Sequence, residues 1–115
     1  MSRITVFGAG AWGSTLAQVL CDAGNEVLLW GRNAETVAEI NDAHTNQRYL
    51  AGQVLPSNLR ATTDLDDAFA FSQTYVLAIP STQLRATLNE WKGRFSAECT
   101  IVVRSRVLKS PRCFA

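Results

Sequence analysis

The feature that most restricts what this chain can fold into is the trio Gly8, Gly10 and Gly13, which interrupts the run Ile4-Thr5-Val6-Phe7-Gly8-Ala9-Gly10-Ala11-Trp12-Gly13 at the spacing G-x-G-x-x-G. Ile4 to Phe7 has the β-branched and aromatic content of a short strand. After the glycines, Trp12, Leu16, Leu20 and Ala23 recur at three- and four-residue intervals and predict one face of a helix. Gly24-Asn25 then offers a left-handed cap, and Glu26 to Trp30 reads as a second strand. A strand, a tight glycine turn, a helix and a second strand within about thirty residues form one β-α-β unit.

The same alternation continues. Asn33 is a candidate N-cap for a helix over Ala34 to Ala43, with Val37 and Ile40 facing inward and Glu35 in the first turn. Thr45 to Asn58 lacks sustained periodicity and contains Gly52 and Pro56, which predicts a loop or a short irregular helix before a third strand around Arg60 to Thr62. Asp64 caps a short helix through Phe71, and Tyr75 to Ile79 is a fourth strand closed by Pro80. Ser81 or Thr82 opens a helix whose apolar stripe is Leu84, Leu88 and Trp91, and Thr100 to Val103 begins a fifth strand. With right-handed crossovers this order makes an α/β domain with a doubly wound parallel sheet, ending after about the fifth strand.

In that setting the glycines have a chemical reading. Gly8 permits the tight turn, Gly10 lets backbone approach a pyrophosphate with no Cβ in the way, and Gly13 lets the helix pack closely on the strand. The helix that starts near Ala11 turns its free N–H groups and positive dipole end toward the anion. A dinucleotide is the expected ligand. At the end of the second strand, where an acidic residue would accept from ribose hydroxyls, stands Gly31-Arg32-Asn33. Arg32 can fork onto a 2′-phosphate and Asn33 can donate beside it, which favours NADP(H), with NAD(H) as the alternative. A solvated surface arginine is the competing account of Arg32.

Composition narrows the other possibilities. The 115 residues, 47% hydrophobic and 18% charged, suit one globular domain and exclude a disordered or collagen-like chain. A formal net charge of +1 argues against nucleic acid as a partner, although Arg104, Arg106, Lys109 and Arg112 crowd the last dozen positions. No leader or membrane span is read, so a cytoplasmic location is expected. Cys21, Cys99 and Cys113 have neither disulfide-framework nor zinc-site spacing and are expected as buried or free thiols. His44 is expected as a helix C-terminal or surface residue, and neither a catalytic nor a metal-ligating residue is assigned.

Five motifs in order carry a family resemblance: Gly8 to Ala17 (GAGAWGSTLA), Leu29-Trp30-Gly31-Arg32-Asn33, Asn46 to Gly52 (NQRYLAG) with Leu55-Pro56, Ala61 to Leu65 (ATTDL), and Ala78-Ile79-Pro80-Ser81 with Leu84-Arg85. Together they resemble the N-terminal cofactor domain of NAD(P)-dependent glycerol-3-phosphate dehydrogenase of the bacterial type, over residues 2 to about 103. The resemblance implies a Rossmann-like fold. It also implies hydride transfer between dihydroxyacetone phosphate and sn-glycerol 3-phosphate, which supplies the glycerol backbone of phospholipids. Ala11 and Trp12, Arg32 and Asn33, and Tyr49 are thereby implied as cofactor contacts, and Pro80 and Ser81 as the turn along the nicotinamide side. Aromatic packing is the alternative for Trp12 and Tyr49. Ala51 stands where the family carries proline.

The resemblance breaks after the fifth strand. Residues 1–103 read as the NAD(P)-binding domain, and residues 104–115 as an anomalous tail lacking the family's Lys-Gly pair. A change of reading frame accounts for it. A message encoding Val-Val-Ala-Leu-Lys-Gly-Leu-Glu-Glu-Pro-Thr-Leu-Leu-Arg, with one base lost at the second valine codon, translates from Val102 to Ala115 as the tail stands. The family's helical substrate domain, which holds the lysine base and the grip on the substrate phosphate, is expected to be absent. The small phosphorylated substrate and a homodimeric assembly then belong to the intact form, and this chain alone is expected not to turn over. A non-catalytic NADP(H)-binding module, or a partner for a separate helical chain, is the alternative.

Overall fold

Every strand long enough to test sends apolar side chains alternately to two faces, so the sheet must be covered on both sides. A computed structural model describes residues 3–48, 50, 52–79, 81–94, 100–103 and 106–108 and has that construction. In chain order the elements are β1 (Arg3–Phe7), α1 (Ala11–Asp22), β2 (Glu26–Trp30), α2 (Ala34–Ala43) and β3 (Arg60–Thr62). They continue as α3 (Leu65–Phe71), β4 (Thr74–Leu77), α4 (Ser81–Trp91), β5 (Thr100–Val103) and β6 (Arg106–Leu108). The sheet runs β3-β2-β1-β4-β5-β6. β1 to β5 are parallel, with Phe7 level with Trp30 on one side and Leu77 on the other.

Ile4, Val6, Val27, Leu29 and Val76 point to the face covered by α1 and α2, where Ala17, Cys21, Val37 and Ile40 meet them. Phe7, Trp30, Tyr75, Leu77 and Ile101 point to the other face and pack with Ala68 and Trp91 of α3 and α4. Thr5, buried on that second face, donates to the Ala68 carbonyl at 2.8 Å, so its hydroxyl is satisfied. The helix ends carry the expected caps. The Asn33 side chain accepts from Glu35 N and Thr36 N, that of Asp64 accepts from Asp66 N, and Gly24 turns the chain after α1 at φ +96°.

Four expectations need correction. The buried face of α1 is Gly13, Ser14, Ala17 and Cys21, while Trp12 and Ala23 are exposed and Leu16 and Leu20 flank the contact. A helix drawn this close to a sheet presents its small residues to the strands and splays its large ones to either side. The fourth strand covers Thr74–Leu77 rather than Tyr75 to Ile79: Ala78 N still donates to Phe7 O at 2.8 Å, and the Ala78 carbonyl then closes over Gly8. Ser81 is the first residue of α4 rather than its cap. The fifth strand does not end the sheet: Arg106–Leu108 pairs antiparallel with it, Val103 opposite Arg106. Apart from those three residues, the tail over 104–115 lies outside the described residues.

Candidate functional site

The strand order reverses between β1 and β4, and beyond their carboxyl ends an open parallel sheet leaves a crevice. The glycine turn stands at that crevice. Gly8 has φ +116°, a region L side chains rarely adopt, and a Cβ there would strike the Ala78 carbonyl oxygen. A Cβ on Gly13 would strike the Gly8 carbonyl oxygen and come within 3.1 Å of the Ala78 Cβ. Both glycines are therefore demanded by the chain's own packing. Gly10 differs: its φ of −76° suits any residue, and nothing lies within 4 Å of where its Cβ would stand. Gly10 is also the N-cap of α1 and has no side chain to cap the first turn, so the leading N–H groups of the helix stay available. A missing Cβ beside uncapped donors is the cradle a pyrophosphate requires.

The adenosine side is drawn to the same turn. A Cβ on Gly31 would come within 2.8 Å of the Ala9 Cβ, so glycine at the end of β2 lets that strand close against the turn. Gly8 N donates to Trp30 O at 2.8 Å and Gly31 N to Thr62 O at 3.0 Å, which extends the ladder to the rim. Arg32, the next residue, is exposed, and it makes no ion pair among the described residues. Asn33 spends its side-chain oxygen on the α2 cap, at 2.8 Å from Glu35 N, which leaves its NH₂ group to donate. Trp12 is 45% exposed, so it is not a core aromatic.

The loop after α2 reaches the same turn through Asn46. Thr45 and Val54 bridge the ends of the loop, and Leu55 N donates to His44 O at 2.7 Å. The Glu39 carboxylate accepts from Thr45 Oγ1 at 2.6 Å and Gln47 N at 2.9 Å. Inside, Asn46 Nδ2 donates to Ala9 O at 3.0 Å and Ser14 Oγ at 2.9 Å. His44 caps α2 in the left-handed conformation, φ 55°, and is half-buried. Among the described residues no cluster of His, Cys, Asp or Glu could hold a metal, and no helix is long and apolar enough to cross a membrane.

The family model for the NAD-dependent glycerol-3-phosphate dehydrogenase N-terminus matches residues 3–110. The chain belongs to that family. It is 45% identical over 102 residues to the glycerol-3-phosphate dehydrogenase [NAD(P)+] of Corynebacterium glutamicum, covering 89% of this chain and 31% of that protein. It is 43% identical over 101 residues to glycerol-3-phosphate dehydrogenase [NAD(P)+] 2 of Mycobacterium tuberculosis. Among solved structures, the glycerol-3-phosphate dehydrogenase of Coxiella burnetii superimposes with a TM-score of 0.79 at 30% identity, covering 88% of this chain and 31% of that one. The chain thus spans about a third of the length of the glycerol-3-phosphate dehydrogenases it matches.

As a glycerol-3-phosphate dehydrogenase cofactor domain, the structure gathers Gly8, Gly10, Ala11, Trp12 and Gly13 at the crevice, with Arg32 and Asn33 on the rim beside them. Ser81 opens α4, the helix that follows the Ala78 turn; Tyr49 and Pro80 lie outside the described residues. Sequence reasoning passed over Ser14, Asn46, Gly31 and Ala78 as individual residues. Ser14 carried a weak signal, a small polar residue one position after Gly13 in the helix that follows the glycine turn, and Asn46 carried none, because its neighbours Thr45, Gln47 and Arg48 are polar too. Ala78 carried none, because a close approach between turns leaves no local trace.

Proposed function

We propose that this chain binds NADP(H), with NAD(H) as the weaker ligand, across the carboxyl ends of β1, β2 and β4. The single observation behind the reading is Gly10, a glycine with ordinary backbone angles and open space at its Cβ, so that its requirement lies outside the polypeptide. The pyrophosphate would sit against Gly10 and the first turn of α1, Arg32 and the Asn33 amide would meet a 2′-phosphate, and Ser81 would face the nicotinamide side. The exposed Trp12 would lie along the cofactor. When bound, the nicotinamide supplies the hydride chemistry.

In a protein carrying the full length of the relatives, this domain would serve hydride transfer between NAD(P)H and dihydroxyacetone phosphate or sn-glycerol 3-phosphate. The residues gathered at the crevice are glycines, alanines, a tryptophan and rim donors, and none is a general acid or base placed for a substrate carbonyl. These residues by themselves are read as binding the cofactor without turning over. We read the segment after Val103 as a shifted frame, and resequencing the gene through and beyond that codon decides it: a restored Lys-Gly frame supports the reading, and a confirmed tail with no such frame removes it.

The cofactor assignment is tested by thermal unfolding with and without NADPH. A ligand at a hundred times its Kd adds about 2.7 kcal/mol to stability by mass action, an increase of about 10 °C in the melting temperature for a domain this size. An unchanged transition at millimolar NADPH would refute the assignment.

A further inference from the structure

Asn46 is fully buried, yet its side chain is only partly satisfied. Nδ2 donates to Ala9 O and Ser14 Oγ, while Oδ1 is buried with no hydrogen-bond partner. Turning the amide over would bring Oδ1 to a hydroxyl that could donate to it, but would set it against the Ala9 carbonyl oxygen. The orientation that orphans Oδ1 is thus the one that keeps a donor on Ala9 O. Ser14 Oγ lies 3.3 Å from the same carbonyl, so two side chains draw it inward.

The peptide joining Ala9 to Gly10 is trans, as are all those described, so an inward C=O directs the Gly10 N–H outward. That N–H has no acceptor among the described residues, and nothing lies within 4 Å of where a Gly10 Cβ would stand. Glycine at position 10 also makes rotation of this peptide cheap, since Gly reaches positive φ without steric cost. The residue that opens the cradle leaves its own donor free to turn away. Asn46, fixed by a loop whose ends are bridged and whose Thr45 and Gln47 are held by Glu39, supplies the missing constraint.

We propose that Asn46, assisted by Ser14, is a positioning residue that locks the Ala9–Gly10 peptide with its N–H aimed at the bound pyrophosphate. The proposal rests on the dinucleotide reading above. In the full chain, Asn46→Ala is expected to move the Gly10 amide ¹⁵N resonance in the ligand-free protein, because that nucleus senses the hydrogen bond at the preceding carbonyl. It should also weaken NADPH about tenfold, the worth of one hydrogen bond to a charged group. Adenosine 2′-phosphate, which carries the adenosine-side contacts and no pyrophosphate, should bind the variant as it binds the wild type. Should Asn46→Ala fail to fold, Ser14→Ala, with a smaller shift in the same sense, decides. An unmoved Gly10 resonance with unchanged NADPH affinity overturns the proposal. Equal weakening of both ligands also overturns it, since that marks general loosening of the domain. If wild type binds neither ligand, the dinucleotide reading falls and this proposal with it; if wild type binds NADPH and the variant binds it equally well, this proposal alone falls.

Discussion

On the face covered by α1 and α2 the sheet meets small and aliphatic side chains, Ala17, Val6, Leu29 and Ile40 among them. On the face covered by α3 and α4 it meets the rings of Phe7, Trp30, Phe69, Tyr75 and Trp91, with neighbouring centroids 4.9 to 6.1 Å apart. Two polar tips of that aromatic layer are satisfied, Trp30 Nε1 donating to Thr63 O and Tyr75 OH to Phe69 O. The difference teaches a division of labour. Close approach, which a phosphate cradle needs, comes from removing side-chain volume at Gly13, Ser14 and Ala17. Buried area, which a small domain needs, comes from concentrating large rings behind a helix of only seven residues, α3.

The contrast breaks most visibly at Phe7, fully buried and in contact with four other rings. Phe7→Ala should cost about 3–5 kcal/mol and leave a domain this small largely unfolded, as urea titration followed by circular dichroism would record. Two glycine substitutions of equal size come next. Gly13→Ala forces a Cβ onto the Gly8 carbonyl and should lower stability by at least about 2 kcal/mol along with binding. Gly10→Ala meets nothing in the chain, so stability should fall only by the roughly 1 kcal/mol that alanine costs at an N-cap while NADPH affinity is lost; paired melts and titrations separate the two. A Gly10→Ala protein that melts lower and binds normally would erase the distinction between packing and ligand glycines.

On the rim, Arg32→Ala should weaken NADPH about tenfold or more and NADH far less, because only the former carries the 2′-phosphate. Equal loss of both in parallel fluorescence titrations would place Arg32 outside cofactor choice. The smallest effect is expected at His44, a non-glycine residue at φ 55° whose Nδ1 is buried without a partner. His44→Gly should raise stability by up to about 1 kcal/mol, seen as a higher urea midpoint at unchanged slope.

Much of this was legible along the chain. The strand periods, the caps at Asn33 and Asp64, the left-handed Gly24 and the Leu84-Leu88-Trp91 stripe are local signals, set by hydrogen bonds and side-chain directions within a few residues. The glycine spacing, with Arg32 one strand later, located the crevice for the same reason. The buried face of α1 was misplaced because hydrophobic periodicity weights large residues, whereas the distance between helix and sheet is decided by small ones. The sixth strand was missed because antiparallel pairing of Arg106–Leu108 depends on which sheet edge is within reach.

By itself, the sequence determined the alternation of strands and helices, the turn that breaks at Gly8, Gly10 and Gly13, and the family to which the chain belongs. Those follow from the backbone freedom of individual residues and from periodicities that a short window contains. Only the tertiary structure decided which glycine serves packing and which serves a ligand, that Gly31 closes on Ala9, and that Asn46 reaches 37 positions back to hold a carbonyl of the phosphate turn. The physical reason is that excluded volume and buried hydrogen bonds act between atoms near in space, and the sheet brings β1, β2 and β4 together from distant parts of the chain.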